Sequence, residues 1–224
     1  DHMKAAVIVF PGSNCDRDLA VGLERAGARV QMVWHKDTDL PRGLDLIGIP
    51  GGFSFGDYLR CGAIAAQSPI TRAVVDFVHA GGHALGICNG FQVLTETGLL
   101  PGALMRNANL KFICKPVDLK VETTNSVFTR NYAAGQTVRF PIAHHDGNYV
   151  AGPDLVARLR AEDRIAFSYR ENPNGSTADI AGVLSENRRV LGLMPHPERA
   201  VEAALGGGDG AALFKGVAQI LATA

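Results

Sequence analysis

The sequence predicts an α/β protein: a doubly wound, mostly parallel sheet covered by helices, with a small antiparallel sheet in the second half. Three observations carry this reading. Fully apolar runs of strand length recur between Ala5 and Ile87, as expected for a sheet covered on both faces. The segments between them carry apolar residues at helical spacing, which gives a βαβ rhythm and hence right-handed parallel crossovers. From Lys111 onward the pattern changes to short runs punctuated by turns such as Asn172-Pro173-Asn174-Gly175.

Taken in order, Ala5 to Phe10 (AAVIVF), Val30 to Val33, Leu44 to Ile49 and Ala84 to Ile87 read as strands. Asp16 to Ala26 reads as a helix, and so does Pro69 to Ala80, with Ser68 as its cap and Pro69 at its first position. A further apolar-periodic segment, Asn89 to Thr97, begins directly after the fourth strand. In the second half, six segments read as strands: 111 to 122, 137 to 143, 154 to 160, 164 to 169, 180 to 185 and 188 to 194. The Gly206 to Gly210 loop is a turn with Asp209 near the start of a closing helix, 211 to 221. It has neither the Lys-Ser/Thr of a phosphate loop nor the third spaced glycine of a dinucleotide fingerprint. A single domain over 3–224 is expected, with Asp1-His2 as an expression scar.

Composition narrows the partners. Lys plus Arg and Asp plus Glu are equal at 22 each, with no long run of one sign, so neither nucleic acid nor an anionic membrane is expected. No apolar run approaches a membrane span and no secretory signal opens the chain, so a cytoplasmic protein is expected. Cys15, Cys61, Cys88 and Cys114 are mutually isolated, without a C-x-x-C pair for zinc or a redox disulfide. As isolated residues, free cysteines usually serve as small buried hydrophobes.

Two segments have nucleophile-elbow spacing, Gly52-Phe53-Ser54-Phe55-Gly56 and Gly86-Ile87-Cys88-Asn89-Gly90. Both follow an apolar strand, and glycines two residues either side leave room for a sharp turn. Only the second runs straight into a helix, where the dipole and free backbone NH groups favour a thiolate. Ser54 is followed by Asp57 to Gly62 with no helical start, and a serine still needs a base.

Seven histidines compete to be that base. His2 belongs to the scar, and His35, His79 and His83 stand alone, as ordinary surface or core residues do. His144-His145-Asp146-Gly147 reads equally as a polar turn. His196 lies in Met194-Pro195-His196-Pro197-Glu198-Arg199, where two prolines stiffen the backbone. An extended path there puts residues 196 and 198 on one side, so Glu198 could orient the imidazole. The competing reading is a Pro-rich exposed turn.

These residues resemble the class I, triad-type glutamine amidotransferases, with GICNGFQ carrying the nucleophile and MPHPER the histidine and glutamate. PGSNCDRD (11–18), PGGFSFGDYLRCGAIAA (50–66), KFICK (111–115) and MPHPERAVE (194–202) are similar to the glutaminase subunits of phosphoribosylformylglycinamidine synthases. The resemblance implies a flavodoxin-like fold and a catalytic triad of Cys88, His196 and Glu198. It further implies oxyanion donors from the backbone of Gly52 or Phe53 with Asn89, and a substrate contact from Gln92. No metal or cofactor is expected in this chain; ATP and magnesium are expected on a large synthetase subunit that receives the ammonia, with a small third subunit beside it. The chain differs from the family pattern at Asn109-Leu110, where Ser-Gly is usual, at Pro116, and at His145. Two other chemistries remain open: a serine hydrolase using Ser54 and His196 with Asp146 or Asp179, and a non-catalytic thiol-sensing or partner-binding domain centred on Cys88.

Overall fold

The computed structural model describes residues 2–52, 61–202 and 208–220. The first half delivers the anticipated alternation: β1 (Lys4–Val9), α1 (Asp16–Arg25), β2 (Arg29–Trp34), β3 (Leu46–Ile49), α2 (Cys61–Ala65), α3 (Ile70–His79), β4 (His83–Ile87) and α4 (Asn89–Glu96). The second half comprises β5 (Ala103–Met105), β6 (Ile113–Val121), β7 (Thr137–His144), β8 (Asn148–Val150), α5 (Pro153–Ala161), β9 (Ile165–Tyr169), β10 (Ile180–Leu184), β11 (Val190–Leu193) and α6 (Ala211–Ala218).

Nine strands form one sheet in the order β2-β1-β3-β4-β11-β10-β9-β6-β7. From β2 to β11 every pairing is parallel, and from β11 to β7 every pairing is antiparallel. The first half therefore has the doubly wound order of flavodoxin-like sheets, whose sites form at the carboxyl ends of the strands. The antiparallel strands continue this sheet edge to edge, and the separate small antiparallel sheet is the pair β5 and β8.

The uniform apolarity of β3 and β11 reflects cover on both faces, since all four residues of each are buried. On one face Leu19 of α1 packs so closely over Gly48 that a Cβ there would lie 2.9 Å from Leu19 Cδ2. Gly22 of α1 is similarly close to the Phe214 ring of α6, at 3.2 Å for a hypothetical Cβ. On the other face Ile70 and Val74 of α3 meet Ile49 and Val93, the last from α4.

Two local expectations are corrected. The segment 154–160 is not a strand but lies within α5, whose Pro153 sits in the first turn with Asp154, and Arg158 and Arg160 in the last. Buried Val156 and Leu159 are three residues apart, a helical interval, and acidic and basic ends complement the helix dipole. Ser68 does not cap α3 with its side chain; its hydroxyl instead lies 2.8 Å from Nδ1 of buried His35.

β7, the last strand in the sheet order, does not leave its outer side bare. Pro116 and Pro141 face each other across β6 and β7, which fixes that position as one without ladder bonds. Groups on alternate residues of β7 consequently turn outward, and other loops take them up. The Arg139 NH donates to Asp209 Oδ2 at 2.8 Å, and the Pro141 carbonyl accepts the His196 NH at 2.8 Å. Asp209, anticipated as a simple turn residue, thus helps to cover a strand edge.

The antiparallel half is filled by aromatic rings. Phe167 of β9 is fully buried and packs edge-on against Tyr132 and Phe140, with centroids 6.3 and 6.0 Å away. Phe167→Ala should destabilise the protein by about 3–5 kcal/mol in urea unfolding, the usual cost of removing a buried ring. A loss below about 1 kcal/mol would mean that this half of the core carries little of the stability.

Candidate active site

β4 ends at Ile87, α4 begins at Asn89, and Cys88 makes the turn between them with φ 56° and ψ −113°. This is a strained backbone for a residue with a side chain, maintained only where the surroundings fix it. The surroundings here are backbone atoms at the closest approach that glycine permits. A Cβ on Gly86 would lie 2.5 Å from Leu94 Cδ1 and 2.7 Å from the Gly90 carbonyl oxygen, and one on Gly90 would collide with the Ile49 carbonyl. On the far side, a Cβ on Gly51 would lie 2.6 Å from Cys88 Cβ and 3.3 Å from the Asn89 nitrogen. The turn after β3 therefore faces the elbow directly, with Gly52 at φ 68°.

His196 follows β11, the strand that pairs in parallel with β4, so topology brings the two loops side by side. The His196 backbone is extended (φ −105°, ψ 90°), and Pro197–Arg199 then closes into a 3₁₀ turn rather than continuing extended. That turn brings Glu198 Oε1 to 2.9 Å from His196 Nδ1, with both side chains essentially inaccessible to water. The groups meet at charge-pairing distance without the alignment of a linear hydrogen bond. Burial alone would lower the His196 pKa, but the Glu198 carboxylate and the neighbouring Cys15 and Cys88 sulfurs outweigh it and raise the pKa well above the ordinary value. The segment is buried from Leu191 through Glu198, which excludes an exposed proline-rich turn.

The outward edge of β7 supplies the third wall. The Ala143 carbonyl oxygen lies 3.5 Å from Cys88 Sγ, and Asn89 Oδ1 lies at the same distance. Next to Ala143, His144 is buried, with Nδ1 3.0 Å from Asn107 Oδ1 and Nε2 3.4 Å from Asn174 Nδ2. Burial first, then the charge of His196, pushes His144 down to a pKa of about 4, so it is neutral near pH 7. Asn107 Nδ2 also donates to the His144 carbonyl at 2.9 Å, while Oδ1 accepts the Gly147 NH at 2.9 Å. The adjacent His145 ring packs against Phe112 at 4.9 Å between centroids.

Cys88, His196 and Glu198 are thus brought together as anticipated, and Gly52 and Asn89 flank them. Phe53 and Ser54 lie outside the described residues, as do Asp57 to Arg60. Gln92, expected beside the substrate, is buried one helical turn past Cys88; its Oε1 accepts the Gly62 NH at 2.8 Å, and its Nε2 has no hydrogen-bond partner among the described residues. Asp146 and Asp179, the acids of the serine-hydrolase alternative, are engaged elsewhere: Asp146 with Arg106 at 3.2 Å, Asp179 with Asn172 at 2.9 Å. Among the described residues no group of three or more His, Cys, Asp and Glu could hold a metal ion. No described helix is long and apolar enough to cross a membrane.

Several neighbours of the site carry no sequence signal of their own. Asn107 and Asn174 are single polar residues in loops, identifiable only once folding buries them beside His144. Cys15, fully buried, lies 2.8 Å from Arg199 Nη2 and beside His196. Its one hint is its place in the PGSNCDRD segment.

Comparison with known proteins agrees with this geometry. Residues 2–205 match the model of the CobB/CobQ-like glutamine amidotransferase domain. The chain is 72% identical to the phosphoribosylformylglycinamidine synthase subunit PurQ of Cereibacter sphaeroides, over 95% of this chain and 96% of that protein. It is 69% identical to the Ruegeria pomeroyi protein of the same name, over 99% of this chain and 100% of the other. It superimposes on a chain of the PurLQS structure from Thermotoga maritima with a TM-score of 0.90, at 45% identity and covering 99% and 100% of the two chains. A putative GMP synthase subunit from Thermoplasma acidophilum, at 19% identity and a TM-score of 0.69 over 100% of this chain and 96% of that one, shares the fold. With its strained cysteine elbow, buried His-Glu pair and full-length similarity to these relatives, the chain belongs to the CobB/CobQ-like glutamine amidotransferase family and, within it, to the PurQ-type subunits of phosphoribosylformylglycinamidine synthase.

Proposed function

We propose that Cys88, His196 and Glu198 hydrolyse glutamine to glutamate and ammonia, and that the ammonia feeds phosphoribosylformylglycinamidine synthesis. The observation that carries this reading is the water-excluded His196–Glu198 pair beside a cysteine on a strained strand-to-helix turn. Cys88 Sγ attacks the side-chain amide carbon of glutamine, forming a C–S bond while the carbonyl oxygen takes the negative charge. Backbone NH groups of Asn89 and of Gly52 or Phe53 hold that oxyanion, each donor contributing about 10²- to 10³-fold in rate. His196 protonates the amide nitrogen, the C–N bond breaks and ammonia leaves. Water then attacks the glutamyl thioester, His196 takes up its proton, and glutamate departs with the cysteine regenerated. Glu198 keeps the imidazole oriented and favours its charged form. The unpartnered Nε2 of Gln92 is the end of that side chain suited to contact the substrate glutamine.

The relatives named as synthase subunits, and the similarity to a chain of the PurLQS structure, support work within an assembly. In this reading a large synthetase subunit, with a small third subunit, receives the ammonia, binds ATP and magnesium and converts formylglycinamide ribonucleotide to the amidine in the cytoplasm. The whole chain from residue 3 to 224 acts as one amidotransferase domain.

In the assembled complex, Cys88→Ala should lower glutamine-dependent synthesis by at least about 10⁴-fold, while synthesis from added ammonia stays near wild type. Retention of glutamine-dependent turnover would remove Cys88 as nucleophile.

Glu198→Gln tests the pair through pH. Without the carboxylate, burial governs His196 and its pKa falls, so the alkaline limb of the kcat/KM profile should move to lower pH. Stability should follow the same linkage. A histidine whose folded pKa is raised contributes stability that is fully present below its unfolded value of about 6.5 and is lost as pH rises through the folded value. In urea unfolding the variant should therefore lose about 3–5 kcal/mol at pH 6 and less at alkaline pH. An unchanged alkaline limb would show that Glu198 does not set the charge of His196.

A further inference from the structure

At the opposite end of the sheet from Cys88 lies a second concavity of about 750 Å³, whose lining includes His83 at the start of β4, Arg189 just before β11, and Asp45 just before β3. It is one strand length from the elbow, roughly 16 Å at about 3.3 Å per residue. The overall charge of the chain is balanced, yet Arg130, Arg188 and Arg189 converge here against Asp45 as the acidic residue of the lining.

The three guanidinium groups are not equivalent. Arg188 is structural: its Nε donates to the Asn125 carbonyl at 2.5 Å, Nη1 to the Glu162 carbonyl at 2.9 Å, and Nη2 contacts Asp163. Arg189 spends Nη1 on the Gly81 carbonyl at 2.8 Å, an approach helped by glycine at 81, where a Cβ would lie 3.1 Å from that nitrogen. Arg130 gives Nη2 to the Gly216 carbonyl at 2.6 Å, and its Nε is buried without a hydrogen-bond partner among the described residues. That Nε is enclosed by protein, so a ligand in the groove meets Arg130 through the charge of the guanidinium group. Among the described residues Asp45 is the one carboxylate in the lining against three guanidinium groups, and its Oδ2 accepts the Lys4 NH at 2.8 Å.

His83 registers the local field. Burial first, then the charges of Arg189 and Arg130, lower its pKa, with Asp45 opposing, so near pH 7 it is a neutral ring able to donate or accept. Thr124 and Ser126 line the same wall, the Ser126 hydroxyl hydrogen-bonded to that of Thr129 at 2.6 Å, and Phe77 and Val127 provide apolar surface. Planar guanidinium groups beside hydroxyl donors recognise phosphate oxygens, and a volume of this order accommodates a mononucleotide.

We infer that this groove binds a small phosphate-bearing ligand, its phosphate between Arg130 and Arg189 and its neutral part against Phe77. The site is separate from glutamine hydrolysis and uses none of its residues.

The test is calorimetric titration of the full chain with inorganic phosphate, ribose 5-phosphate, adenosine 5′-monophosphate and unphosphorylated adenosine. Saturable one-to-one binding is expected for the phosphate-bearing probes and not for adenosine, with the nucleotide tighter than inorganic phosphate. Arg189→Gln, at an exposed position, and Arg130→Gln should each weaken binding about tenfold or more. Alkylation of Cys88 should leave binding unchanged, and both variants should retain wild-type glutaminase activity in the assembled complex. The inference fails if none of the phosphate probes binds, if adenosine binds as well as its monophosphate, if both variants bind like wild type, or if Cys88 alkylation abolishes binding.

Discussion

The site depends on a backbone crossing that has no room for a side chain. The Gly90 Cα lies against the Ile49 carbonyl, and Gly86 lies against the first turn of α4. Both contacts force the chain to leave β4 through a turn so tight that Cys88 takes a positive φ. The strain is local, but the restraint is distributed: Ile49 ends a strand buried on both faces, and Leu94 anchors α4 in the core. A flexible loop could not hold a cysteine in this conformation, because it would relax to an ordinary backbone. Central parallel strands can, since packing costs far exceed the local strain.

The second constraint is the change of direction in the sheet. β11 pairs in parallel with β4 and antiparallel with β10, so it belongs to both halves. The loop after it can therefore carry His196 to the elbow while the antiparallel strands bring the outer edge of β7 to meet that loop. Three successive outward groups of that edge serve different ends. Arg139 NH binds Asp209, the Pro141 carbonyl binds the backbone of His196, and the Ala143 carbonyl faces Cys88 Sγ. What would be an unprotected strand edge becomes a wall of the site. The neutral His144 and its two asparagine partners stiffen the end of that wall without adding charge beside the His196–Glu198 pair.

Much of this was legible in the residues themselves. The central strands declare themselves by uniform apolarity, and the Cys88 elbow by glycines at both flanks and an immediate helix. The His196 to Glu198 contact was legible as stiffness, although a 3₁₀ turn achieves it and not an extended path. The misreadings have a common physical cause, namely alternatives that local pattern leaves nearly equal. In 154–160, Leu155, Val156 and Leu159 fit a short strand until the proline start and the charge order are weighed. Ser68 precedes a helix as a cap would, but tertiary packing offers its hydroxyl a buried histidine. Leu110, where the family resemblance implies glycine, has a φ of 62°, a left-handed backbone that favours glycine. Asn107, Asn174 and the shared edge of β7 were not legible at all, because each acquires its role from pairings between segments far apart in sequence.

The central claim is that the crossing places Cys88, and no other nucleophile, where a glutamyl group is transferred. The most direct measurement is peptide mapping by mass spectrometry of the assembled complex, acid-quenched during glutamine turnover. The account predicts a glutamyl thioester on the peptide containing Cys88, absent when glutamine is replaced by ammonia. A glutamyl adduct on Cys15 or Ser54 with Cys88 unmodified would contradict it.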